Sequence, residues 1–319
     1  MRKIPPFFIV LIITVIIIIS HVDAYPPLNL TVATDQPAYY VGGDVYAYGN
    51  LTLGNDTVTD ALVGLEVDTP LHVFLVRTLT TNITPTENWL VEVLDVVPCD
   101  QYGNPKNIFQ TKKLAYFNTT IRNNDIEMLQ VLVTVSLYDY SRAPIGVSSF
   151  KGTVKENSTV SVILSVPIPT TSANGTATVY SSAFSDWPRY AGKPYCPERS
   201  NEFNITGGVT LSPSPIQPEL VKGNYNSTFK ISFAESLGTY TINVVCIYQG
   251  LPVANSTIFE VRVNGDANGD GVVDAKDLRA LMQSWPPQPY NPNCDFNTDG
   301  VIDGKDLRIL GTYWGYGTY

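Results

Sequence analysis

Two stretches near the C-terminal end of the chain place oxygen-bearing side chains at alternating positions around a glycine. In the first, "DANGDGVVDAKD", acidic or amide residues stand at positions 1, 3, 5, 9 and 12, and Gly271 stands at position 6. Calcium is a hard cation that takes about six to eight oxygen ligands, and alternate side chains of a tight loop can converge on one centre. Because glycine permits the sharp turn, the pattern predicts a calcium loop.

The first loop begins at Asp266, and a second copy, "DFNTDGVIDGKD", begins 29 residues later, at Asp295. Its turn glycine is Gly300. The aspartate at position 12 of each loop opens a predicted helix and anchors that helix to the ion. The backbone carbonyl at position 7 completes each ligand ring. The predicted ligands of two Ca2+ ions are Asp266, Asn268, Asp270, Val272, Asp274 and Asp277, and then Asp295, Asn297, Asp299, Val301, Asp303 and Asp306.

A duplicated loop with an exiting helix resembles a dockerin module. The match differs from an EF-hand, since position 12 is Asp instead of Glu and no helix precedes either loop. The resemblance implies that two calcium ions hold a small helical domain together, and that one helix face docks into a cohesin-like domain of another protein. The contact positions it implies are Ala275, Lys276, Arg279, Gly304, Lys305 and Arg308.

The resemblance has one departure, since neither copy has the Ser-Thr pair that many cellulosomal dockerins carry at loop positions 10 and 11. This departure argues against a standard cellulosomal cohesin as the partner. The alternative is that calcium only stiffens the C-terminal segment and that nothing docks there.

The rest of the chain has the composition of a strand-and-turn protein. Only 15% of its 319 residues are charged, whereas it has 19 tyrosines, 23 glycines and 23 prolines. Such a composition is typical of β structure and not of a helical bundle. The formal net charge of −9 argues against a nucleic-acid partner, which needs a basic surface.

Short strand-like runs, separated by turn residues, fall into three groups. Four runs precede Thr81, seven lie between Trp89 and Thr206, and three follow the Pro-rich "LSPSPIQPELVKG". Seven strands suit one immunoglobulin-like (Ig-like) sandwich. Each flanking group alone would leave an open sheet face and bare edges. We therefore predict that the first and third groups fold together, with the second group inserted between them.

The predicted fold class is mainly β, with two Ig-like β-sandwiches, one inserted into the other, and a small α-helical calcium-binding module. The segments "TDQPAYYVGGDVYAYGNLT" and "GTYTINVVCIYQGLPVANSTIFEV" resemble the opening and closing strands of macroglobulin-type or bacterial Ig-like surface domains. Three separate small sandwiches in a row are the alternative. The predicted division is a discontinuous sandwich over 26–87 plus 208–263, an inserted sandwich over 88–207 and a dockerin-like module over 264–319.

The first 24 residues are typical of a secretory signal peptide. Arg2 and Lys3 precede an apolar run from Phe7 to Ile19, and small residues follow near Ala24. Such a run spans about 20 Å as a helix, short of the roughly 30 Å hydrocarbon core. We therefore expect cleavage, no membrane span afterwards, and an extracellular or cell-surface protein. An uncleaved N-terminal anchor is the alternative.

Ten Asn-X-Ser/Thr sequons support export, where chance would give roughly four. None lies in the calcium segment. The predicted glycosylation sites are Asn29, Asn50, Asn55, Asn82, Asn118, Asn157, Asn174, Asn204, Asn226 and Asn255.

Four cysteines in an exported chain suggest disulfides. Cys99 and Cys196 lie near the two ends of the predicted insertion, so we predict a bridge between them. Cys246 reads as a buried strand residue. Cys294 has no obvious partner, and a bridge to Cys246 is a weaker possibility.

The sequence contains no GxSxG, P-loop or HExxH motif. His72 stands among apolar residues in the alternating pattern that is usual for a β-strand. We therefore predict a non-catalytic protein. The stretch "SSAFSDWPRYAGKPY" offers Trp187, Tyr190 and Tyr195, which could stack on sugars or pin a loop to its own sandwich. The alternative to a docking protein is thus a surface adhesin that binds a polysaccharide or cell-surface glycan, in which calcium is only structural.

Overall fold

The computed structural model describes residues 26–85, 89–212, 223–297 and 299–317, and the predicted signal peptide lies outside them. Strands make up 50% of it and helices 9%, so the predicted mainly β class with helices in the C-terminal segment is confirmed. The helices are α1 (Ala275–Gln283) and α2 (Gly304–Thr312). The strands are β1 (Leu28–Leu30), β2 (Ala33–Thr34), β3 (Ala38–Tyr40), β4 (Asp44–Leu53), β5 (Asp56–Thr57), β6 (Leu62–Asp68), β7 (Val73–Thr80), β8 (Val91–Cys99), β9 (Ile108–Gln110), β10 (Leu114–Asn123), β11 (Leu129–Tyr138), β12 (Pro144–Val154), β13 (Thr159–Pro167), β14 (Gly175–Phe184), β15 (Arg199–Thr206), β16 (Asn224–Lys230), β17 (Gly238–Tyr248) and β18 (Leu251–Arg262).

The first sandwich draws its strands from both ends of the β region. One sheet has the order β1-β4-β16, with β2 and β5 also paired to β4, and the other has the order β3-β18-β17-β6-β7. Strand β4 pairs antiparallel with β16, and β6 pairs antiparallel with β17. Each sheet therefore joins strands that precede β8 to strands that follow β15.

Alternating side chains explain why these strands form two packed layers. Strand β4 buries Val45, Ala47 and Leu51 on one face, and β16 buries Tyr225 and Phe229. This period of two is that of a half-buried strand. The buried faces of both sheets contribute to a single apolar core.

The inserted sandwich comprises β8 to β15, in sheets of order β13-β10-β8 and β12-β11-β14-β15-β9. Phe109, Phe117 and Phe203 fill its core, with ring centroids 5.2–6.0 Å apart. It has one strand more than the seven predicted. Strand β9 has three residues and pairs parallel with β15, so it is too short to show a period. The predicted boundary between 87 and 88 falls among residues that are not described, and the exact bounds of the domains stay a prediction.

A partly buried arginine joins the two sandwiches. Arg77, on β7, pairs with Glu198 through Nη2 to Oε1 at 2.5 Å and Nε to Oε2 at 2.9 Å. Its guanidinium also lies 3.5 Å from the ring centroid of Tyr180, on β14. Beside it, the backbone of Val76 exchanges hydrogen bonds of 2.9 and 2.8 Å with the Ser136 hydroxyl. Two donors and a stacked ring fix the sandwiches to each other in one arrangement.

A second ion cluster crosses the same interface. Arg189, in a turn of the inserted sandwich, donates from Nη1 to Asp68 Oδ1 at 2.7 Å, and its backbone N–H donates to Glu66 Oε2 at 3.0 Å. Nη1 also lies 2.8 Å from Glu66 Oε1, although no hydrogen bond forms to that oxygen. Because Glu66 is fully buried, burial raises the pKa of its carboxyl to about 7 despite the arginine.

The raised pKa of Glu66 predicts a pH-dependent stability. A buried acid whose pKa rises from 4.5 to about 7 binds its proton more tightly when folded. Its stabilising contribution is full below the unfolded value and is lost as the pH rises through about 7. We expect wild type to lose on the order of 3 kcal/mol of unfolding free energy over this window relative to Glu66→Gln. Urea unfolding of both proteins at pH 4.5 and pH 8 measures the difference, and parallel pH profiles would contradict it.

The predicted disulfide between Cys99 and Cys196 is wrong. All four cysteines are free and buried. Cys196 Sγ accepts a hydrogen bond from the backbone N–H of Val93 at 3.3 Å, whereas Cys99 lies six residues further along the same strand. At about 3.3 Å per residue the separation is roughly 20 Å, and a disulfide needs Cα atoms within about 7 Å. Cys246 is buried in β17, as predicted, and its thiol is not bridged to Cys294.

The C-terminal module packs directly onto the first sandwich. Ala267, Val273, Phe296 and Leu310 belong to the same buried cluster as the core of that sandwich. Strand β18 runs into the module through Gly265, whose φ is +101° and where an added Cβ would lie 3.2 Å from the Leu310 Cα. Glycine is therefore required at this junction for both its backbone conformation and the close approach of α2.

Candidate calcium-binding and docking site

Both predicted loops turn at their glycines. Gly271 has a φ of +82° and Gly300 a φ of +84°, values in the left-handed region that glycine adopts without strain. The carbonyl-bearing residues of position 7, Val272 and Val301, follow directly. The two loops thus have the same backbone conformation at their turns, as the repeated sequence predicts.

The aspartates at position 12 lie fully buried at the start of the helices. Asp277 Oδ1 accepts the backbone N–H groups of Ala267 and Asn268 at 2.9 and 3.1 Å. Asp306 Oδ1 does the same for Phe296 at 2.8 Å. These bonds hold the beginning and the end of each loop together.

A capping box starts each helix at the ninth loop position. Asp274 Oδ1 accepts the N–H of Lys276 at 2.7 Å, and Asp277 Oδ2 accepts the N–H of Asp274 at 2.8 Å. Asp303 and Asp306 repeat this pair at the start of α2. The carboxylates accept hydrogen bonds from backbone N–H groups that have no partner within the helix, and their negative charge lies at the positive end of the helix dipole. Two sequence positions therefore serve both helix initiation and the proposed ion.

The aspartates at position 1 accept N–H groups from the turn. The Asp266 carboxylate accepts hydrogen bonds from the backbone N–H groups of Gly269 and Gly271 at 2.7 and 2.8 Å. Burial raises the pKa of this carboxyl. The Asp295 carboxylate accepts hydrogen bonds from the backbone N–H of Gly300 at 2.8 Å and from the Tyr290 hydroxyl at 2.7 Å. Sequence reasoning missed Tyr290, which lies in the proline-rich linker between the two repeats and carries no ligand spacing.

Positions 3 and 5 are held by neighbours in the same way in both repeats. Asn268 Oδ1 accepts the N–H of Asp270 at 2.8 Å, and Lys276 Nζ lies 2.8 Å from Asp270 Oδ2. The hydrogen bond from Lys276 lowers the pKa of the Asp270 carboxyl. Lys305 and Asp299 form the equivalent pair at 2.7 Å. A lysine ammonium thus supplies one positive charge beside each cluster of aspartates.

The donor set fits calcium in its chemistry. Each loop offers carboxylate, amide and carbonyl oxygens only, which a hard cation prefers, and each contains buried acids that need a positive charge nearby. Among the described residues, no three Asp, Glu, His or Cys side chains converge as a ready-made metal cluster. The carboxylates instead accept hydrogen bonds from backbone N–H groups of the loop and from the lysine ammonium groups. Calcium binding would therefore require Asp270 and Asp299 to give up their contacts with Lys276 and Lys305.

All six residues that the resemblance assigns to partner contact are exposed. They lie at the outer surface of α1 and α2, away from the buried Leu281 and Leu310. Their role in docking stays a prediction. The contact positions of that set are Ala275, Lys276 and Arg279 on α1, and Gly304, Lys305 and Arg308 on α2.

The aromatic residues considered for sugar binding do not share one exposed face. Trp187 packs against a small core cluster at the interface of the sandwiches, with Phe184. Tyr195 is buried and Tyr190 is exposed. The pattern therefore fits a loop pinned to its own sandwich.

The end of the chain folds back over the first calcium loop. Gly315 N–H donates to Val273 O at 2.9 Å, and Val273 N–H donates to Tyr316 O at 3.0 Å. The Tyr316 hydroxyl also donates to Phe233 O of the first sandwich at 3.1 Å. A Cβ at Gly317 would overlap the Gly271 carbonyl.

The predicted glycosylation sites differ in accessibility. Six of the ten asparagines are exposed, and Asn50, Asn118, Asn174 and Asn226 are partly buried. Asn174 is also bonded through both side-chain atoms to the backbone of Gly208. Glycosylation stays a prediction. The exposed sites are Asn29, Asn55, Asn82, Asn157, Asn204 and Asn255.

The solved structures to which the chain is similar include distant and partial likenesses. The alkylpurine DNA glycosylase AlkC of Pseudomonas fluorescens is 11% identical with a TM-score of 0.27, covering 37% of this chain and 31% of its own. The C-terminal domain of wzt is 9% identical with a TM-score of 0.32, covering 47% and 83%. A β-glucosidase from Listeria innocua is 10% identical with a TM-score of 0.26, covering 40% and 17%. With scores this low, none bears on the function of this chain.

No curated protein matches the chain. Among the described residues, the helices are too short or too polar to span a membrane. The family of the dockerin type I domain matches residues 264–314, a range that contains every predicted calcium ligand and both helices. Dockerin domains bind calcium and dock to cohesins. The dockerin predicted from the sequence is therefore confirmed for residues 264–314, as a type I domain that follows the β-sandwich region.

Proposed function

We propose that this is a non-catalytic secreted or cell-surface protein whose dockerin binds two calcium ions and docks to a cohesin-like domain of another protein. The observation that carries the proposal is the match of residues 264–314 to the type I dockerin together with two loops of the same geometry. Both loops have a left-handed turn glycine and a buried aspartate at position 12. The sandwiches, over 26–87 plus 208–263 and 88–207, then act as a rigid carrier.

The non-catalytic assignment is supported by the surroundings of His72. Its Nδ1 lies 3.3 Å from the Thr69 hydroxyl and its Nε2 lies 3.5 Å from Glu235. The Thr69 hydroxyl is occupied within its own turn, since it accepts the backbone N–H groups of Leu71 and His72 at 3.1 and 2.9 Å and donates to the His72 carbonyl oxygen at 3.1 Å. A glycan-binding role for the sandwiches has less support, because Trp187 and Tyr195 are used in packing.

The proposal is tested by binding of the full chain to a panel of purified type I cohesin domains from cellulosomal and non-cellulosomal proteins, because the loops lack the Ser-Thr pair of many cellulosomal dockerins. Isothermal titration with calcium should show saturable one-to-one binding, and addition of EGTA should abolish it. The variant Asp306→Ala should lose binding, because Asp306 holds the second loop to α2. The control is Asp100→Ala, which removes a similar turn-capping carboxylate, bonded to Tyr102 and Asn104, from a loop outside the dockerin. Binding that is unchanged in EGTA would refute calcium-dependent docking.

A further inference from the structure

The two repeats of the dockerin differ in what they expose. Val301, Leu307 and Trp314 of the second repeat are 52%, 40% and 52% exposed. Their equivalents in the first repeat, 29 residues earlier, are all partly buried. Leu278 and Trp285 pack against the core cluster shared with the first sandwich. Two repeats with identical residues at 12 of 20 positions thus have unequal surfaces.

The unequal surfaces have a structural cause. The first calcium loop lies between the first sandwich and the end of the chain. A Cβ at Gly271 would lie 3.6 Å from Leu237 of the sandwich, and the tail bonds to Val273 from the other side through Gly315 and Tyr316. No such covering is described for the second loop, where a Cβ at Gly300 would meet nothing within 4 Å.

The second repeat exposes one face of α2, with two large apolar side chains, Leu307 and Trp314. Gly304, Leu307, Arg308 and Gly311 follow the i, i+3, i+4, i+7 spacing of one helix face, and Trp314 continues it. We call these five residues the α2 face. A Cβ at Gly304 or Gly311 would meet nothing within 4 Å, so a partner backbone can approach the helix closely. On α1 the equivalent positions hold Ala275, Leu278, Arg279, Met282 and Trp285.

We propose that a cohesin-like partner docks on the α2 face alone, and therefore in a single orientation. This inference rests on the proposed docking function and specifies which half of the symmetric module performs it. Leu307 and Trp314 would supply the apolar centre, since buried aromatic and aliphatic anchors carry most binding energy. Arg308 and the neighbouring Lys305 add positive charge at the border. The matching partner surface is an apolar patch edged by carboxylates.

A matched pair of variants tests the choice of face. Gly311→Arg places a long side chain on the α2 face, and Met282→Arg places the same side chain at the equivalent position of α1. Both sites are exposed, and arginine is a good helix former, so both variants should fold. Calcium titrations and circular dichroism should be the same for both. Affinity of the full calcium-loaded chain for a purified type I cohesin domain is then measured by calorimetry.

We expect Gly311→Arg to weaken binding at least 100-fold, Trp314→Ala at least 10-fold, and Met282→Arg less than 2-fold. Equal losses from Gly311→Arg and Met282→Arg, or a loss only from Met282→Arg, would overturn the single-face assignment while leaving calcium-dependent docking intact. Failure of the unmodified chain to bind would overturn the docking function itself and this assignment with it. A calcium-loaded dimer that Gly311→Arg dissolves would also overturn it, because the α2 face would then bind a second copy.

Discussion

Removal of calcium should unfold α1 and α2 and lower the melting temperature of the whole chain by about 10 °C. Without the ions, each loop brings buried acids together with only a lysine to offset them, and like charges destabilise the folded segment. Two sites saturated at about 100 times Kd contribute roughly 5 kcal/mol together. At about 2–4 °C per kcal/mol this gives the expected shift. The effect should reach the sandwich, because Val273 and Leu310 share its core.

The measurement is far-ultraviolet circular dichroism and calorimetry of the full chain in calcium and in EGTA. Asp277→Ala should reproduce the loss of α1 in the presence of calcium, since Asp277 closes the first loop and caps the helix. Asp100→Ala should melt like wild type. Magnesium should restore little, because it demands near-octahedral geometry and gives up its water reluctantly. Identical helix content and melting with and without calcium would mean that the module folds without ions.

Local pattern was sufficient to predict the turns of the two loops, because the predicted ligands of each loop lie within 12 consecutive residues; the ligands themselves stay a prediction. The geometry of a short loop depends mainly on its own glycine and on carboxylates that bond nearby N–H groups, as Asp266 bonds Gly269 and Gly271. The strand count likewise predicted that the two flanking groups complete one sandwich, since neither could cover its own sheet face. The pairing of β4 with β16 has the connectivity that this reasoning requires.

Contacts between distant segments could not be predicted. Arg77 and Glu198 are 121 residues apart in sequence, and neither carries a local signal that names the other. The wrong disulfide has the same origin, since Cys99 ends β8 whereas Cys196 lies beside Val93, near the start of that strand. The unequal exposure of Leu278 and Leu307 is also invisible in two matching repeats, because it depends on what the sandwich and the tail cover.

Replacement of Arg77 should be the most damaging single change outside the dockerin. Arg77→Met keeps an apolar stem in place of the aliphatic part of the arginine but leaves the Glu198 carboxylate, which is only 16% exposed, without its cation. Breaking one half of a buried ion pair costs about 3–5 kcal/mol. The stacking on Tyr180 is lost as well. Urea unfolding should show the destabilisation, and proteolysis should become faster at the interface of the two sandwiches.

A double-mutant cycle separates the pair from the packing. Adding Glu198→Gln to Arg77→Met should recover part of the lost free energy, because the unpaired charge is then removed, although the Thr78 N–H still needs the acceptor it finds at 3.0 Å in Glu198. Lys151→Met is the matched control. Its pair with Asp186 is also short, 2.7 Å, but both side chains are more than a third exposed, so the substitution should cost less than about 1 kcal/mol. Equal costs for Arg77→Met and Lys151→Met would mean that the arrangement of the two sandwiches, and with it the rigid carrier proposed for the dockerin, does not depend on this ion pair.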